Sequence, residues 1–419
     1  MTDAPADAPA DVAKVVLAGV HGHGWWHLRN LRRLQSLGRV RLVGVCDLVP
    51  AAPDLLAGFG VVDQSPSLTE LLARTEPDVV VIATPIHTHA ELTLAAAQVG
   101  VHILLEKPPA PTLEAYRRIV AGVDAAGVAC QVGFQSLGSG AVARAARLVR
   151  DGEIGAVWGI SAAGAWQRDS TYYRRARWAG RRTLDGVAVV DGALTNPFAH
   201  ALATALRVDG SEGDDLAGAV ELELWHAYDI DSDDTACLRL VTSRGTTITV
   251  AVTLCAAGPG EPYLVIHGER GRAVLWYTRD LLEIEGGASV FEQDETAEQN
   301  SGAGHGRVDL LENLLTHLAR PEVPLLVPLP ATLAFMLAVE AVRLAPAPGP
   351  IPERFQQVTQ LETAGGLAER RTVPGVEDLV AASADRLALF SELGVEWSGP
   401  GSGLTGAADP VGRAGGVGG

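Results

Sequence analysis

The stretch of sequence that decides the fold is Val15–His27, which reads V-V-L-A-G-V-H-G-H-G-W-W-H. Its apolar residues up to Gly19 predict a buried strand of a parallel sheet, and the apolar spacing of Trp25–Leu37 predicts a helix after a tight turn. A helix that begins there points its free N–H groups and positive dipole end at the turn, where they can hold a pyrophosphate. The stretch therefore predicts a nucleotide-binding turn, with an ordinary strand-to-helix connection as the alternative.

The glycines of this turn match the dinucleotide fingerprint Gly-x-Gly-x-x-Gly only in part. Gly19, His21 and Gly24 occupy its three positions, so the middle glycine is missing. His21 then either weakens cofactor binding or lets the loop shift by one residue, so that Gly22 provides the close backbone approach. On either alternative we expect these four residues and His23 to contact the cofactor.

Composition narrows the classes of function. The chain has 419 residues, enough for two or three domains, and a formal net charge of −17. Such a surplus of acidic residues does not neutralise phosphates, so we expect neither nucleic acid nor a membrane surface as a partner. The four cysteines lie far apart without a C-x-x-C pair, which argues against a disulfide framework and a thiolate metal site. This use of cysteine indicates a reducing cytoplasm, and residues 1–12 lack the pattern of a signal peptide.

Strand and helix patterns alternate over the first third of the chain. The predicted strands are Ala13–Ala18, Val40–Cys46, Val79–Ala83, Val101–Leu105 and Val128–Val132. The predicted helices are Trp25–Leu37, Leu68–Ala73, His89–Val99 and Leu113–Ala125. This alternation predicts an α/β domain with a doubly wound parallel sheet at 13–135, after a disordered tail at 1–12.

From Ile154 the pattern changes to short strands rich in Val, Thr, Tyr and Trp. The predicted strands are Val157–Ala163, Ala219–Trp225, Ala236–Val241, Thr246–Leu254, Tyr263–His267 and Arg272–Tyr277, followed by helices at Arg307–Leu318 and Ala331–Leu344. They predict an α+β domain at 136–345 with a large, mostly antiparallel open sheet.

The remainder of the chain is predicted to be an extension and a tail. A Pro-rich linker at 345–352 leads into the extension, 346–398, which we expect to fold back on the body of the protein with a helix at Val376–Leu393. The Gly-rich residues 399–419 are expected to be disordered.

Polar residues follow the predicted parallel strands at their carboxyl ends, where ligands bind in such sheets. Asp47 follows the second strand, where its carboxylate can accept hydrogen bonds from the adenosine ribose and repel a 2′-phosphate. NAD is therefore preferred over NADP, and the alternative for Asp47 is to cap the helix-like stretch behind it. Thr84 and Pro85 follow the third strand, with His87 and His89 close behind.

Glu106, Lys107 and Pro108 follow the next strand. Lys107 follows an apolar strand, which places it at the ligand edge of the sheet. The proline after it and the carboxylate before it restrict the position of the lysine. We therefore interpret Lys107 as a positioned cation, although a lysine on a loop is in general a solvated surface charge.

Taken together, these motifs resemble the Gfo/Idh/MocA family of oxidoreductases. The resemblance rests on Gly19 to His27, Asp47, Ala83-Thr84-Pro85 with the histidine behind it, Glu106-Lys107-Pro108, Gly133-Phe134-Gln135, Tyr172-Tyr173 with Trp178-Ala179-Gly180, and Gly186 to Asp191. It covers about residues 13 to 345.

The resemblance implies an N-terminal Rossmann domain that binds NAD and a C-terminal domain whose open sheet mediates assembly into a dimer or tetramer. Hydride then passes between nicotinamide and a secondary hydroxyl or ketone of a sugar, cyclitol or related polyol, and no metal is involved. It implies that Lys107 and Asp191 are catalytic, because oxidation of an alcohol requires removal of its proton. Further cofactor contacts are implied for Thr84, Pro85, His87, His89, Glu106, Lys107 and Gln135.

One position departs from the family pattern. The catalytic histidine of the family falls four residues after Asp191, where this chain has Thr195, which cannot act as a base near neutral pH. Lys107 is then itself the acid and base with a pKa lowered by burial, or His200 replaces the histidine, or the ordinary chemistry is lost. Within this segment, Thr195 or the following residue is expected to cap a helix that begins at Pro197.

Aromatic and arginine side chains alternate in the loop before Asp191 and can line a sugar site. The candidate substrate-binding residues are Lys107, Trp166, Tyr173, Trp178, Asp191 and Asn196, and Tyr172, Arg168, Arg174, Arg175 and Arg177 lie among them. The alternative is a set of buried aromatics with exposed arginines on an interdomain loop.

Three other functions are considered. The pairs His21-Gly22-His23 and His87-Thr88-His89 follow strands, as in the zinc sites of barrel hydrolases, but the alternation stops well short of eight units. Thr195 suggests an NAD-binding protein without turnover. Transient oxidation by NAD can also drive cleavage of a glycosidic bond, which makes a glycoside-cleaving enzyme the remaining alternative.

Overall fold

Two β-sheets organise the chain in this computed structural model, which describes residues 12–285, 307–363 and 366–398 and the backbone of residues 405–408. The strands are β1 (Ala13–Ala18), β2 (Val40–Cys46), β3 (Asp63–Ser65), β4 (Val79–Ile82), β5 (His102–Leu105), β6 (Cys130–Val132), β7 (Val157–Ala165), β8 (Thr183–Leu184), β9 (Val187–Ala188), β10 (Val220–His226), β11 (Thr235–Val241), β12 (Thr247–Thr253), β13 (Tyr263–Gly268), β14 (Gly271–Trp276), β15 (Leu281–Ile284), β16 (Gly349–Pro350), β17 (Gln357–Thr363), β18 (Gly366–Thr372) and β19 (Thr405–Ala408). The helices are α1 (Gly24–Ser36), α2 (Pro53–Leu56), α3 (Leu68–Thr75), α4 (His89–Gln98), α5 (Leu113–Ala126), α6 (Gly140–Arg150), α7 (Ser170–Arg174), α8 (Ala199–Asp209), α9 (Leu310–Ala319), α10 (Leu333–Leu344) and α11 (Val376–Arg386). Within these ranges every helix falls short of the length and hydropathy that crossing a bilayer requires.

The first sheet is parallel, and its described strands follow the order β3-β2-β1-β4-β5-β6. All of β4 and the last four residues of β1 are buried, as expected of strands with helices on both faces. This confirms the doubly wound sheet, and β1 and β2 have the predicted bounds. Strand β3 is not evident from the sequence because all three of its residues are polar.

The second sheet is mixed and mostly antiparallel. In the described part of the chain its order is β15-β14-β13-β7-β12-β11-β10-β16, and β19 also pairs with β10. Only the pairs β7 with β12 and β10 with β16 are parallel among these strands. One face of the sheet packs on α8, which packs in turn on α6. The predicted large, mostly antiparallel open sheet is confirmed.

The opposite face of the second sheet is covered by α11. This helix lies across β7 and β12, where Gly159, Ser161 and Ala251 present small side chains to it. The Ser161 hydroxyl donates to the carbonyl of Ala384 at 2.6 Å. A Cβ atom at Gly159 would lie 2.2 Å from Cδ1 of Leu387, so a larger residue there would require the Leu387 side chain to move. The expected assembly of copies through this sheet stays a prediction, and the chain itself occupies this face over the two central strands.

Residues 307–345 return from the second domain to the first sheet. The N–H of Val132 in β6 donates to the carbonyl of Val327 at 2.9 Å, and the Tyr116 hydroxyl on α5 donates to the carbonyl of Leu329 at 3.0 Å. The two domains are therefore joined at a second place besides the chain crossover, which fixes the cleft between them.

Two predicted segments differ from the structure near the end of the chain. The predicted helix at Val376–Leu393 ends at Arg386, because Leu387 adopts a left-handed conformation with φ of 53°. The Pro-rich stretch is not a free linker, since Gly349–Pro350 pairs with β10, and a β17–β18 hairpin follows it.

Most of the two predicted tails lies outside the described residues. Residues 405–408 of the C-terminal one form β19 instead of being disordered. The reason is that the edge of β10 offers unpaired backbone groups, with which this segment forms antiparallel hydrogen bonds.

Candidate active site

Loops from neighbouring strands meet at the carboxyl edge of the first sheet. The N–H of Val20, after β1, donates to Oδ2 of Asp47, after β2, at 2.9 Å. The Nε2 atom of His27 on α1 donates to Oε1 of Glu106, after β5, at 2.9 Å. Gly133, after β6, faces the same carboxylate, and a Cβ atom there would lie 2.8 Å from it. The structure thus brings the glycine turn, Asp47 and the Glu-Lys-Pro turn to one rim.

The turn between β1 and α1 depends on two glycines. Gly19 has φ of 85°, and a Cβ atom on it would lie 2.7 Å from the carbonyl oxygen of Ala83. A Cβ atom on Gly24 would lie 1.9 Å from the carbonyl oxygen of Gly19, so no other residue fits there without a shift of the backbone. Gly22 has φ of 61° with open space beside it. The first and third glycines therefore shape the turn, and Gly22 gives it its left-handed bend.

This turn has the features that a pyrophosphate group requires. The exposed N–H groups of His21, Gly22 and His23 donate to no acceptor within the described residues. They precede α1, whose first turn carries no acidic side chain. Free N–H groups at the positive end of a helix dipole suit an anion, so the residues present fit a dinucleotide.

Asp47 and His21 join the glycine turn to the loop after β2. Besides the bond from Val20, the Asp47 carboxylate accepts from the N–H of Val49 at 3.2 Å. Helix α2 begins later, and its cap is Ala52, so the alternative that Asp47 caps a helix is wrong. The His21 ring donates from Nε2 to the carbonyl of Val49 at 3.2 Å, and this bond directs the ring toward that loop.

His89 ties the loop after β4 to the turn after β5. Its two ring nitrogens lie 2.9 Å from the carbonyl oxygens of Thr84 and Pro108. Burial lowers the pKa of His89 below its usual value, although both carbonyl contacts act in the opposite direction. Pro85 and His87 lie in the same loop, and burial also lowers the pKa of His87. The buried His89 therefore determines the position of this loop.

Glu106 is a buried carboxylate with several donors. Its Oε1 accepts from His27 and from the Gln135 side chain at 3.0 Å, and the His23 ring lies 3.4 Å away. Its Oε2 accepts from the N–H of Lys107 at 3.1 Å. Burial raises the pKa of Glu106, but the hydrogen bonds from the two histidines outweigh it and hold the pKa well below its usual range. The hydrogen bond to Glu106 in turn raises the pKa of His23.

The paired histidines do not form the zinc site of a barrel hydrolase. His21 and His89 contact backbone carbonyls, and His23 faces Glu106. Among the described residues, the side chains close enough together to share a metal ion are those of His23, His27 and Glu106. The sheet is open and six-stranded rather than an eight-stranded barrel, so the hydrolase alternative is wrong.

Lys107 reaches from the first sheet to the second domain. Its ammonium donates to the backbone oxygen of Asn196 at 2.9 Å and to the side-chain oxygen of the same residue at 2.8 Å. Burial lowers the pKa of Lys107, whereas the nearby charges of Glu106 and Asp191 act in the opposite direction. The cation is therefore fixed at the rim and partly desolvated.

Asp191 lies at the other end of this contact. One oxygen accepts from the Asn196 amide, and the other accepts from the N–H of Gly180 at 2.8 Å and from Arg175 at 3.2 Å. The residue before it, Val190, has φ of 44°, a strained value for a β-branched side chain. The surrounding hydrogen bonds hold this backbone in place.

Thr195 stabilises the backbone at Val190, next to Asp191, through its hydroxyl, and does not face the site. Its buried hydroxyl donates to the carbonyl of Val190 and accepts from the N–H of Gly192 at 3.0 Å. It therefore does not cap α8, which begins at Ala199 after Phe198, and the predicted helix start at Pro197 is wrong.

His200 lies in the first turn of α8 near Lys107. Its Nδ1 is 3.1 Å from the Ser136 hydroxyl, and its ring packs edge-on against Phe134. Burial lowers the pKa of His200 to about 3, with a further contribution from the charge of Lys107. The imidazole is therefore neutral over the physiological range.

The predicted substrate residues divide into two groups. Trp178 packs under the Arg175 guanidinium, and Trp166 packs on Phe198, so both border the Lys107 and Asp191 cluster. Tyr173 instead packs on Tyr228 at a centroid distance of 4.9 Å, and its hydroxyl has no partner in the described part of the chain.

Sequence reasoning gave His27 no role of its own and placed Arg175 only among the arginines of a possible sugar site. Their partners, Glu106 and Asp191, are identified only once the loops are folded. For His27 the available signal was its place one helical turn after His23, on the same face of α1.

Two family models match this chain. The model for an oxidoreductase family with an NAD-binding Rossmann fold matches residues 13–134, and the GFO/IDH/MocA C-terminal domain model matches residues 142–274.

Relatives and solved structures agree with these matches. The scyllo-inositol 2-dehydrogenase (NAD(+)) of Bacillus subtilis is 34% identical over 143 residues, which are 34% of this chain and 41% of that protein. The levoglucosan dehydrogenase of Pseudarthrobacter phenanthrenivorans is 27% identical over 265 residues, 57% of this chain and 66% of that protein. The chain thus matches less than two thirds of the length of either relative. The WlbA dehydrogenase from Bordetella pertussis was solved with NADH and UDP-GlcNAcA. It superposes on this chain with a TM-score of 0.64 at 23% identity, over 79% of this chain and 95% of that one. This similarity shows that the two chains share a fold.

Proposed function

The chain belongs to the Gfo/Idh/MocA family of oxidoreductases, and we propose that it transfers a hydride between nicotinamide and a secondary hydroxyl or ketone of a sugar, cyclitol or related polyol. The observation that carries the proposal is the position of Lys107, on the rim that holds the glycine turn and in contact with Asn196. The names of the two relatives, an inositol and a sugar dehydrogenase, support the substrate class.

NAD is the proposed cofactor, and its nicotinamide ring supplies hydride transfer when bound. The free N–H groups of His21, Gly22 and His23 would hold its pyrophosphate. Asp47 retains lone pairs for the ribose hydroxyls besides its two backbone bonds, and its charge disfavours a 2′-phosphate. We therefore propose NAD over NADP.

Lys107 is the proposed acid and base. An amine whose pKa is lowered by burial releases its proton more readily, whereas a guanidinium stays charged. Lys107 and Lys14 are the only lysines in the chain, against 33 lysines and arginines in total. Arginine thus supplies almost every other cation, and a lysine at position 107 supports a role that needs a titratable amine.

Asn196 and Asp191 are proposed to orient this amine. Asn196 accepts the ammonium protons through two oxygens, and Asp191 holds the Asn196 amide in place. A substrate hydroxyl that replaces one of these acceptors would lie within hydrogen-bond distance of the Lys107 nitrogen, where its proton can be accepted.

The other two alternatives for the missing histidine have less support. His200, with a pKa of about 3, is too weak a base to hold a proton at neutral pH. Thr195 is engaged inside its own loop. An NAD-binding protein without turnover and an NAD-dependent glycoside-cleaving enzyme are kept as outcomes of the test.

The test combines binding and turnover. Calorimetric titration with NAD and NADP is expected to show tighter binding of NAD, and a panel of sugars and cyclitols with NAD is expected to yield NADH at 340 nm. NAD binding without NADH from any member of the panel would contradict the dehydrogenase. Release of nitrophenol from nitrophenyl glycosides, with NAD required but no NADH accumulating, would identify the glycoside-cleaving enzyme.

A further inference from the structure

Arg168 follows β7 at the border of the candidate site. Its guanidinium carbon lies 5.0 Å from the centroid of the Trp166 ring and 5.2 Å from that of Tyr172. Both distances are within the range of cation–π attraction. The side chain is half-buried, and two aromatic rings restrict its position.

Arg168 differs from Arg175 and Arg177 in having no carboxylate partner; Arg174 also lacks one, but it is exposed and donates to the Ser170 hydroxyl and the carbonyl of Leu367. Arg175 pairs with Asp191, and Arg177 pairs with Asp185. For Arg168 the described residues offer no ion pair; its guanidinium donates to the backbone oxygen of Gln167 at 3.0 Å and to the Tyr172 hydroxyl. Such a half-buried cation retains N–H donors for an anion that comes from outside the chain.

The carboxylate next to it in sequence is engaged elsewhere. Asp169 accepts from the N–H of Thr171 at 2.8 Å and from the Thr171 hydroxyl, and it caps α7. Its charge interacts with that of Arg370. Asp169 therefore does not neutralise Arg168.

Tyr172 links Arg168 to the centre of the site. The guanidinium carbon of Arg175 lies 3.7 Å from the centroid of the same Tyr172 ring, and Arg175 bonds to Asp191. Since Asp191 contacts Asn196, which holds Lys107, Arg168 belongs to one continuous cluster of side chains.

The charges of this cluster are unbalanced. In the described chain, its cations are Lys107, Arg168 and Arg175, and its carboxylates are Asp191 and Glu106, which leaves one positive charge in excess. The protein as a whole carries a formal charge of −17, which repels anions. A local surplus of positive charge in an acidic protein suits an anionic ligand.

We propose that the substrate is an anionic sugar, whose carboxylate or phosphate group is bound by Arg168. This inference rests on the proposed function and specifies its substrate class. A guanidinium can donate two parallel hydrogen bonds to either group, and the stacked rings reduce the side-chain freedom that binding would otherwise remove. Arg168 would fix the charged end of the sugar while Lys107 contacts the reacting hydroxyl.

The test is calorimetric titration of the NAD-loaded full chain with glucuronate, glucose 6-phosphate and glucose. We expect at least one anionic sugar to bind roughly 10-fold or more tightly than glucose, as charge-assisted hydrogen bonds would give. The preferred anion distinguishes a carboxylate from a phosphate. Arg168→Gln is expected to weaken binding of the anionic sugar by about 10- to 100-fold and to leave glucose binding unchanged.

Arg177→Gln is the matched control, because Arg177 is an exposed arginine of the same segment that pairs with Asp185. Arg177→Gln should change neither the affinity for the anionic sugar nor that for glucose. Equal affinity for the three sugars, or an equal loss for glucose in Arg168→Gln, would overturn the inference.

A failure of the proposed function would look different. It would appear as no binding of NAD, or as no NADH from any sugar in the panel. In that case the same three titrations are made on the chain without NAD. A preference for the anionic sugar that depends on Arg168 would still support the inference, and its absence would overturn it.

Discussion

The ammonium of Lys107 lies 2.8 Å from the side-chain oxygen of Asn196, and the amide of Asn196 contacts Asp191. Lys107 is carried by the first sheet, whereas Asn196 and Asp191 belong to the second domain. The geometry of the site thus depends on how the two domains pack, and not on either domain alone.

Replacement of Lys107 by arginine should remove proton transfer and keep the charge. We expect Lys107→Arg to lower the rate of hydride transfer by about 10²- to 10⁴-fold, because a guanidinium does not exchange a proton near neutral pH. Single-turnover formation of NADH measures the rate, and titration should show unchanged NAD affinity. The control is Lys14→Arg, which alters the only other lysine, in β1, and should leave the rate unchanged. Full activity of Lys107→Arg would place the base elsewhere.

Thr195 is expected to act by holding the loop that carries Asp191. Thr195→Val removes two buried hydrogen bonds, to the N–H of Gly192 and the carbonyl of Val190, and leaves those groups only their 3.2 Å bond to each other, which costs about 1–3 kcal/mol of unfolding free energy. We also expect kcat to fall about 10-fold with little change in KM, since Asp191 is displaced rather than removed. Thr195→Ser restores the hydroxyl and should restore both values. A kcat unchanged in the valine variant would show that the loop needs no such support.

His200 should make the fold sensitive to acid. Its folded pKa of about 3 lies below the unfolded value of 6.5, so the unfolded chain binds the proton more tightly as pH falls from 6.5 toward 3, and stability is lost over that window. His200→Gln removes the titrating imidazole. It should reduce the loss of unfolding free energy at pH 5 by at most about 2 kcal/mol. Urea unfolding at pH 7.5 and pH 5 measures the difference. An identical loss in both proteins would contradict burial of a neutral imidazole.

Asp47 should determine the choice between NAD and NADP. Asp47→Asn keeps an oxygen for the N–H of Val20 and removes the charge that opposes a 2′-phosphate. We expect NADP affinity to rise about 10-fold and NAD affinity to fall by a smaller factor. Calorimetric titration with both cofactors measures the ratio. A ratio equal to that of the wild type would show that Asp47 only holds the glycine turn.

Loosening of α11 should expose the face of the second sheet that it covers. Val380 is buried between this helix and the sheet, and Val380→Asp places a charge there. We expect a species of higher mass than the wild type in light scattering after gel filtration, because an uncovered apolar face associates. Asp378→Ala changes an exposed residue of the same helix and is the control. An unchanged mass for Val380→Asp would mean that α11 is not needed to prevent association through the second sheet.

The fold could be predicted from the sequence where periodic apolar runs report burial directly. Strands β1 and β2 have the predicted bounds, and the position of Lys107 at the ligand edge followed from the strand before it. A helix of the extension was expected to fold back on the protein, but the face that it covers could not be predicted, because Gly159 and Ser161 are weak strand formers and carry no signal for a docking helix. The pairing of Arg175 with Asp191 was also hidden, since both lie in a loop without periodicity.

The late position of α11 in the chain has a consequence for synthesis. Strand β15 of the second sheet ends at Ile284, after both strands that α11 covers, and α11 begins at Val376. A ribosome that adds about 5–20 residues per second needs on the order of 5–20 s for these roughly 90 residues. During that interval the nascent protein presents a row of small residues, and a chaperone that occupies it would have to leave before α11 can dock.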